Sequence, residues 1–359
     1  MENIRKFVIS SFLLLMGIIC TFNQTLAAQV DKPGANFVVT PNRDLTPNSN
    51  PEHNNNLWIT VTGTEQTIGL NIDNKSDKDG DFLIVANSAY TGVDGQIHYD
   101  LRAPERDETQ LYNFRYLVKD NEQRVTVPAN TKQSFKLNLE LPQDSSYHGQ
   151  VLGAVTVYQL NSQDKFKKGA KTEIVNRFAV GFPIALNFGG SEIPVNSLKD
   201  PFKIGVVQPG FGLRGGLAIL AQLRNTKPAQ MLDFTVKGKI TDVKTKRVLF
   251  RAKNEGVQMA PNSIYNYQIY WTAKDGLKAG TYQIALDIQM PGKDKYHLKK
   301  NFTITPSQAA KLNEHVGIKP DYRWLYILLA VIALILLLLL TFFISRHQRN
   351  KHDQKKLMN

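Results

Sequence analysis

The chain has 359 residues and carries 44 Lys+Arg against 31 Asp+Glu, a net charge of +13, with a single cysteine, Cys20. One cysteine excludes a disulfide-built scaffold and a multi-thiolate metal centre. The length is more than one hydrophobic core normally sustains, so at least two domains are expected.

At the N-terminus, Arg5 and Lys6 precede the apolar run Phe7–Cys20, and Thr25-Leu26-Ala27-Ala28 supplies small residues for cleavage. This is the pattern of a secretory signal peptide over residues 1–28. Ile19 precedes Cys20, where a lipoprotein signal has Gly, Ala or Ser, so the cysteine leaves with the signal. An exported chain without disulfides points to a bacterium, and a cell with one membrane and a wall outside it, a Gram-positive cell, fits best.

Residues 29–189 form the first predicted domain. Short runs rich in β-branched and aromatic residues, at 57–62, 67–73, 82–89, 135–141, 151–158 and 174–182, alternate apolar with polar as half-buried strands do. Asp79-Gly80, Asp94-Gly95, Lys119-Asp120-Asn121 and the stretch 142–146 read as turns between them. Residues 190–201 lack a period and mark the boundary. The pattern resumes at 202–207, 217–224, 234–241, 247–252, 264–271, 281–289 and 296–305, giving a second domain at 190–305. Two immunoglobulin-like β-sandwiches in series, an all-β fold, are the expected architecture.

Residues 306–323 read as a juxtamembrane stalk with a short helix near 307–316, closed by Gly317 and Pro320. Trp324 to Ile344 then runs twenty-one residues without a charge. About 20 apolar residues at ~1.5 Å rise cross a bilayer core of ~30 Å, so 324–344 is a transmembrane helix. The tail 345–359 holds Arg346, Arg349, Lys351, Lys355 and Lys356 against Asp353, and a basic flank belongs on the cytoplasmic side. The expected location is the cell membrane, single-pass, with the N-terminal portion outside. No Leu-Pro-x-Thr-Gly sorting signal precedes Trp324, so the chain is expected to stay in the membrane rather than be coupled to the wall.

Charge divides the exported portion. Residues 29–180 hold 16 Lys+Arg and 19 Asp+Glu, whereas residues 181–344 hold 21 and 10. The excess gathers at Lys237, Lys239, Lys244, Lys246, Arg247, Arg251 and Lys253. Alternate strand residues share a face, so these cations can line up for a polyanion such as a teichoic acid, a lipid headgroup or an acidic glycan. An ordinary solvated basic surface stays open as the alternative. The compartment and the lack of interleaved aromatics argue against nucleic acid.

Signals for chemistry are sparse. Gly210-Phe211-Gly212-Leu213-Arg214-Gly215 spells a dinucleotide fingerprint, with Asp233 downstream, but it lies between two predicted strands rather than in a βαβ unit. Asp73, Asp77, Asp79 and Asp81 surround Gly80, yet the register misses an EF-hand, leaving a solvated hairpin loop or a casual calcium site. The histidines show no metal-ligand spacing, and no nucleophile elbow is present. The expectation is a non-enzyme without cofactor or bound metal.

Taken in order, several motifs resemble the WxL-interacting surface proteins of Gram-positive bacteria. In the first domain they are Phe37-Val38-Val39-Thr40-Pro41, Asn71-Ile72-Asp73-Asn74-Lys75-Ser76-Asp77, Ala89-Tyr90-Thr91, Gly95–Tyr99, Leu141-Pro142 and Tyr147–Ala154. In the second they are Leu223-Arg224-Asn225, Phe234–Ile240, Gly280-Thr281-Tyr282 and Phe302-Thr303-Ile304. The resemblance covers nearly the whole chain. A departure is Gly63–Thr67, which stands where the family has a Pro-Gly turn. The resemblance implies a membrane-anchored scaffold or adhesion protein. Its first domain would bind peptidoglycan or other wall polymers and WxL-domain proteins, and its second host extracellular proteins. Tyr147, Gly149, Leu152 and Gly153 form a candidate partner contact, because the two glycines would admit close backbone approach; a bend in an interior strand is the alternative. A chaperone-like factor, binding exported client strands at a sheet edge, is the second function considered.

Overall fold

A computed structural model describes residues 35–53, 56–142, 144, 146–160, 178–190, 198–292, 295–318 and 323–357. The signal-peptide segment 1–28 lies outside the described residues, as does the first part, 174–177, of the strand expected at 174–182. The chain is mostly β, in several sheets, with a C-terminal apolar helix.

The first half contributes β1 (Phe37–Asn42), β2 (Leu57–Thr60), β3 (Glu65–Asn74), β4 (Gly80–Ser88), β5 (Tyr90–Thr91), β6 (Ile97–His98), β7 (Glu122–Val127), β8 (Lys132–Glu140), β9 (Gly149–Leu160) and β10 (Ala179–Phe188), with a single helical turn α1 (Phe114–Leu117) before β7. A three-stranded sheet in the order β1-β3-β8 faces a five-stranded sheet in the order β2-β10-β9-β4-β7. Alternation explains the packing. Ile68, Leu70 and Ile72 of β3 and Ile84 and Ala86 of β4 point inward and are fully buried, joined by Phe114 of α1.

The second half repeats the scheme with β11 (Phe202–Phe211), β12 (Leu217–Asn225), β13 (Met231–Asp242), β14 (Val248–Met259), β15 (Ser263–Tyr270), β16 (Gly280–Gln289) and β17 (Lys295–Ile304). The sheet β11-β12-β15 faces β14-β13-β16-β17 across a core containing Phe234, Tyr265, Tyr267 and Ile284, all fully buried. The two sandwiches share a frame: β1-β3-β8 corresponds to β11-β12-β15, and β10-β9-β4-β7 to β17-β16-β13-β14. The first adds β2, the β5–β6 hairpin and α1.

Helix α2 (Pro306–His315) follows β17 directly. Thr305 accepts from the Gln308 backbone N–H at 3.2 Å and Gln308 reaches back to the Thr305 N–H at 3.0 Å, a reciprocal cap with Pro306 in the first turn. Helix α3 (Arg323–Leu357) contains the apolar span Leu325–Ile344.

The domains are joined by a specific interface built from the first domain's additions. Thr91 of β5 shares a 2.6 Å hydrogen bond with Ser263 of β15, and its hydroxyl accepts from the Ala260 N–H at 3.0 Å. Main-chain bonds run from Gln258 N–H to Gly95 O (2.8 Å) and from Gln150 N–H to Pro228 O (2.7 Å). Gly95 sits at φ +75°, and a Cβ there would meet the Tyr265 ring at 3.1 Å. Ala89, Leu152, Ala185 and Ala260 pack beneath these bonds.

At the rim of this interface, Asp107, with no exposed side-chain surface, receives Arg224 Nε at 2.5 Å and Nη2 at 2.9 Å. Thr109 donates to the same carboxylate from its N–H (3.0 Å) and hydroxyl (2.6 Å). Burial alone would raise the Asp107 pKa. The bonds from Arg224 and Thr109 outweigh it and hold the carboxyl below the usual carboxylate range.

Replacing Asp107 by Asn is therefore expected to weaken domain–domain coupling by about 1.5–3 kcal/mol, since it removes the buried half of the charge pairing and leaves the Arg224 guanidinium with the exposed Glu108 carboxylate, 2.7 Å from Nη2, as its ionic partner. Spin labels at Lys136 and Lys299 check this: their distance distribution should broaden in the variant, and an unchanged width would show that the interface holds without the pair. Because the folded carboxyl pKa is depressed, the contribution is fully present above the unfolded value of about 3.9 and is lost as pH falls through the lower folded value. The wild-type distribution should thus stay narrow down to pH ~4 and broaden below it.

Candidate binding surfaces

The Tyr147–Gly153 segment enters β9 and faces the chain's own neighbours. The Tyr147 ring lies edge-on to Tyr112 (4.8 Å between centroids) and to Phe188 (5.2 Å). Burial, helped by Tyr112, pushes its hydroxyl pKa up to about 12. A Cβ on Gly149 would lie 2.5 Å from Pro228 of the second domain, so the close approach this glycine permits is made by the interdomain contact. Leu152 is buried in the alanine-lined cluster. A Cβ on Gly153 would lie 2.1 Å from the Phe114 ring and 2.7 Å from the Asn87 carbonyl oxygen, so α1 can seat on β9 only over a glycine.

The seven candidate cations fall into two groups. Register puts Lys237 of β13 opposite Lys253 of β14 and Lys239 opposite Arg251. Those four side chains share the outer face of the sheet and, with Asp287 of β16, line an open groove of about 410 Å³. Lys253 also pairs with Glu255, and Asp287 accepts from His297 Nδ1 at 2.7 Å. Lys244, Lys246 and Arg247 instead occupy the β13–β14 turn at the end of the domain, where all three are exposed. They do not join the groove.

The remaining sequence signals resolve into structure. Gly210–Gly215 belongs to the β11–β12 hairpin, whose turn is closed by Gly212 N–H to Gly216 O (2.9 Å) and Gly215 N–H to Gly212 O (2.8 Å). Asp73 pairs with Lys75 at 2.6 Å, Asp79 accepts from the Ala129 N–H at 2.9 Å, and Asp81 from the Thr126 hydroxyl at 2.7 Å. Among the described residues no three His, Cys, Asp or Glu side chains converge as metal ligands would. His53 stacks on Trp58 (4.3 Å) and His98 pairs with Asp94 (2.9 Å).

Two features escape a reading of the sequence. One is the interdomain seam: its signals, the charged run Glu105-Arg106-Asp107-Glu108 and Arg224 within Leu223-Arg224-Asn225, look like ordinary surface charge. The other is an apolar hairpin tip: Leu213 is 66% exposed and Phe211 packs on the His315 ring of α2 (4.8 Å).

The glycine geometry yields a paired test. Gly153→Ala should destabilise the first domain by about 1–3 kcal/mol in urea unfolding, because the Phe114 ring must shift. Gly149→Ala, at φ +155° where a side chain is strained, should also lower first-domain stability but in addition broaden the interdomain distance distribution, which Gly153→Ala should leave narrow. An unchanged interdomain distribution in Gly149→Ala would refute the assignment of Gly149 to the interface.

Comparison with known proteins gives a consistent outcome. The family model for the WxL Interacting Protein peptidoglycan binding domain matches residues 47–159, and that for the WxL Interacting Protein host binding domain matches residues 169–314. No curated protein matches the chain. Among solved structures, the YadV chaperone is 10% identical, covering 75% of this chain and 100% of its own, with a TM-score of 0.29. The CupB2 chaperone of Pseudomonas aeruginosa is 12% identical, covering 69% and 97%, with a TM-score of 0.27. The SafB chaperone of Salmonella enterica, in complex with the SafA pilin, is 12% identical, covering 70% and 93%, with a TM-score of 0.27. At that overlap the likeness assigns neither client nor mechanism. The two family matches are binding domains and support a cell-surface role toward peptidoglycan and host. With both domains matched in N- to C-terminal order on paired β-sandwiches, the chain belongs to the WxL-interacting protein family.

Proposed function

We propose that the chain is a non-enzymatic surface scaffold anchored by α3, with both sandwiches outside the cell and residues 345–359 in the cytoplasm. The first domain, residues 29–189, holds peptidoglycan and a WxL-domain protein, and the second, residues 190–305, contacts a host extracellular protein. The observation that carries this reading is the seam between the matched domains. A wall-binding and a host-binding module fixed to each other by Asp107, Arg224, Thr91 and Ser263 suit a scaffold, which needs a set geometry between its partners. Helix α3 supports the anchor: its span Leu325–Ile344 is long and apolar enough to cross a membrane, and it is exposed along its length.

Within the first domain, the Tyr147–Gly153 segment contributes to partner binding through its surroundings. Leu111 and Tyr116, 70% and 67% exposed, lie on the same segment as Tyr112, whose ring touches Tyr147, and supply apolar contact area. In the second domain, the groove between Lys237, Lys239, Arg251 and Lys253 takes an anionic wall polymer or acidic glycan. Exposed cations attract such polymers strongly only at low ionic strength, since the screening length shrinks to about 10 Å at 0.1 M salt.

Capture from the cell's own exported proteins tests the scaffold. Full-length protein in detergent should retain a WxL-domain protein through a high-salt wash, and recovery of wall polymers alone, lost as salt rises, would reduce the role to polyanion binding. Resistance to alkaline carbonate extraction checks the anchor. For the groove, Lys237→Glu with Lys239→Glu should cut low-salt retention on purified anionic wall polymer about tenfold or more, at roughly 1 kcal/mol per reversed cation. Unchanged retention would clear the groove of that role.

A further inference from the structure

We propose that the end of the second domain from which the anchor leaves is itself a membrane-docking surface. Its β11–β12 hairpin tip inserts Leu213 among anionic phospholipid headgroups, and the β13–β14 turn cations contact the same headgroups. The inference rests on the reading of α3 as a membrane anchor.

Several elements converge at this end of the domain. Helix α2 is bound to the body of the sandwich: Asn313 accepts from the Leu277 N–H at 2.8 Å and donates to the Leu277 carbonyl at 2.9 Å. Gly276 lies so close that a Cβ there would sit 2.4 Å from the Asn313 side chain. The chain stays attached through Ile318, whose N–H bonds to Asn313 O at 2.9 Å and whose side chain packs on the core. From Ile318 to Leu325, where the apolar span begins, the seven intervening steps reach at most roughly 25 Å even fully extended. With α3 in a bilayer, this end of the domain is held near the headgroups whatever the path of the tether.

The surface presented there suits that position. The Phe211 ring covers His315 at the end of α2, so the hairpin tip stands beside the root of the tether. The tip's backbone is held in place: Leu213 N–H donates to Gln268 Oε1 (2.9 Å) and Arg214 N–H to the Tyr270 hydroxyl (3.0 Å). Its side chains are left outside, Leu213 66% exposed and Arg214 exposed, with Val316 37% exposed nearby in sequence to the tether. The β13–β14 turn lies at the same end, because Asp242 is paired with Tyr282 at the start of β16, and Gly280 with Ile304, the residue that leads into α2. Among the described residues at this end, the exposed cations Arg214, Lys244, Lys246, Arg247, Lys274 and Lys311 outnumber the acids Asp242 and Glu314, while Lys278 and Asp275 neutralise each other at 2.5 Å.

A soluble wall polyanion could satisfy the cations, but it would leave Leu213 and Phe211 in water. An interface with anionic headgroups outside and acyl chains beneath satisfies both, as basic residues flanking apolar anchors do at membrane surfaces. The occupant we assign is therefore the anionic phospholipid bilayer that holds α3.

The test uses full-length protein in a Cys20→Ser background, reconstituted into vesicles of phosphatidylglycerol and phosphatidylcholine or of phosphatidylcholine alone. An environment-sensitive fluorophore is attached at Leu213→Cys or, in a second variant, Arg214→Cys, with Lys136→Cys on the first domain as reference. Both positions are exposed, so labelling leaves the core intact. The expected result is blue-shifted emission at 213 and 214 in the anionic vesicles, quenched by brominated lipid, with the 136 probe remaining water-like. Adding Lys244→Glu, Lys246→Glu and Arg247→Glu should return the 213 probe toward the reference. Water-like emission at 213 and 214 in vesicles that retain the protein through carbonate extraction would overturn the docking, whereas loss of the protein in carbonate would overturn the anchor instead. An equal blue shift with soluble wall polymer and no vesicles would assign the surface to the polymer and overturn the lipid proposal.

Discussion

The carboxylate of Asp107 is the constraint on which the arrangement of the two domains depends. It has no exposed surface, and an ion of that size moved out of water loses several kcal/mol of solvation unless it is paired and hydrogen-bonded. Its own domain supplies only the Thr109 N–H and hydroxyl. The charge is compensated by Arg224, 117 residues away on β12 of the other sandwich, through two parallel N–H···O bonds. A bidentate fork tolerates little rotation, so the pair fixes an angle as well as a distance. Around it the seam combines main-chain bonds with a small cluster in which Ala89, Ala185 and Ala260 pack with Leu152, Trp58, Ile97 and Tyr99, and the Thr91 and Ser263 hydroxyls share a hydrogen bond. A junction of this kind is specific because its directional bonds, the bidentate fork and the main-chain pairs, are satisfied in one register.

Behind the seam, both sandwiches are held by the same local device. Asn74 closes β3 and Asn225 closes β12, both fully buried. Asn74 Nδ2 donates to the carbonyls of Lys78 and Val127, and Asn225 Nδ2 to those of Ala229 and Ala260. Each side-chain oxygen accepts from the N–H two residues on, Ser76 in one domain and Lys227 in the other, both at 3.1 Å. Asparagine suits this place because its amide offers two donors and an acceptor from one short side chain and satisfies carbonyls that the turn leaves unpaired. The two domains differ in what was added to this frame. The β5–β6 hairpin of the first carries Thr91 and Gly95 into the seam, and α1, seated over Gly153, closes the segment that carries Asp107, Thr109 and Tyr112.

The strands with strong alternation, β3, β12, β13, β15 and β16, were legible in the sequence because burial on one face writes a period of two. So were α2, through its closing Gly317, and the apolar span of α3, through composition alone. Strand β7 was not: Glu122, Gln123, Arg124 and Thr126 fill an edge strand in which Val127 is the one fully buried residue, so no period survives. The seam was illegible for a different reason, since Asp107 and Arg224 each sit among other charges and nothing local says that one will lose its water to the other. The internal repeat was hidden as well: it resides in where Asn74 and Asn225 send their hydrogen bonds, while the side chains around them differ. For the basic residues, composition gave the excess but only register could sort it, separating the sheet-face cations from the three in the turn.

That sorting bears on why the groove exists at all. Lys237 opposite Lys253 and Lys239 opposite Arg251 are two like-charged cross-strand pairs side by side. Directly opposed like charges destabilise a sheet, by roughly 0.2–1 kcal/mol per pair on the scale of such interactions. Asp287 and Glu255 offset part of this from one side each. A penalty of that size is small beside a core that buries Phe234, Tyr265, Tyr267 and Ile284 completely, so the fold can carry it. Nothing in the packing of β13 and β14 calls for it, because all four side chains point away from the core and neutral polar residues would serve the strands as well. A bound polyanion would turn the repulsion into attraction and so stabilise the folded state by linkage. The repulsion left in the free sheet and the affinity for an anion are two aspects of the same charge arrangement, and raising ionic strength must diminish both together.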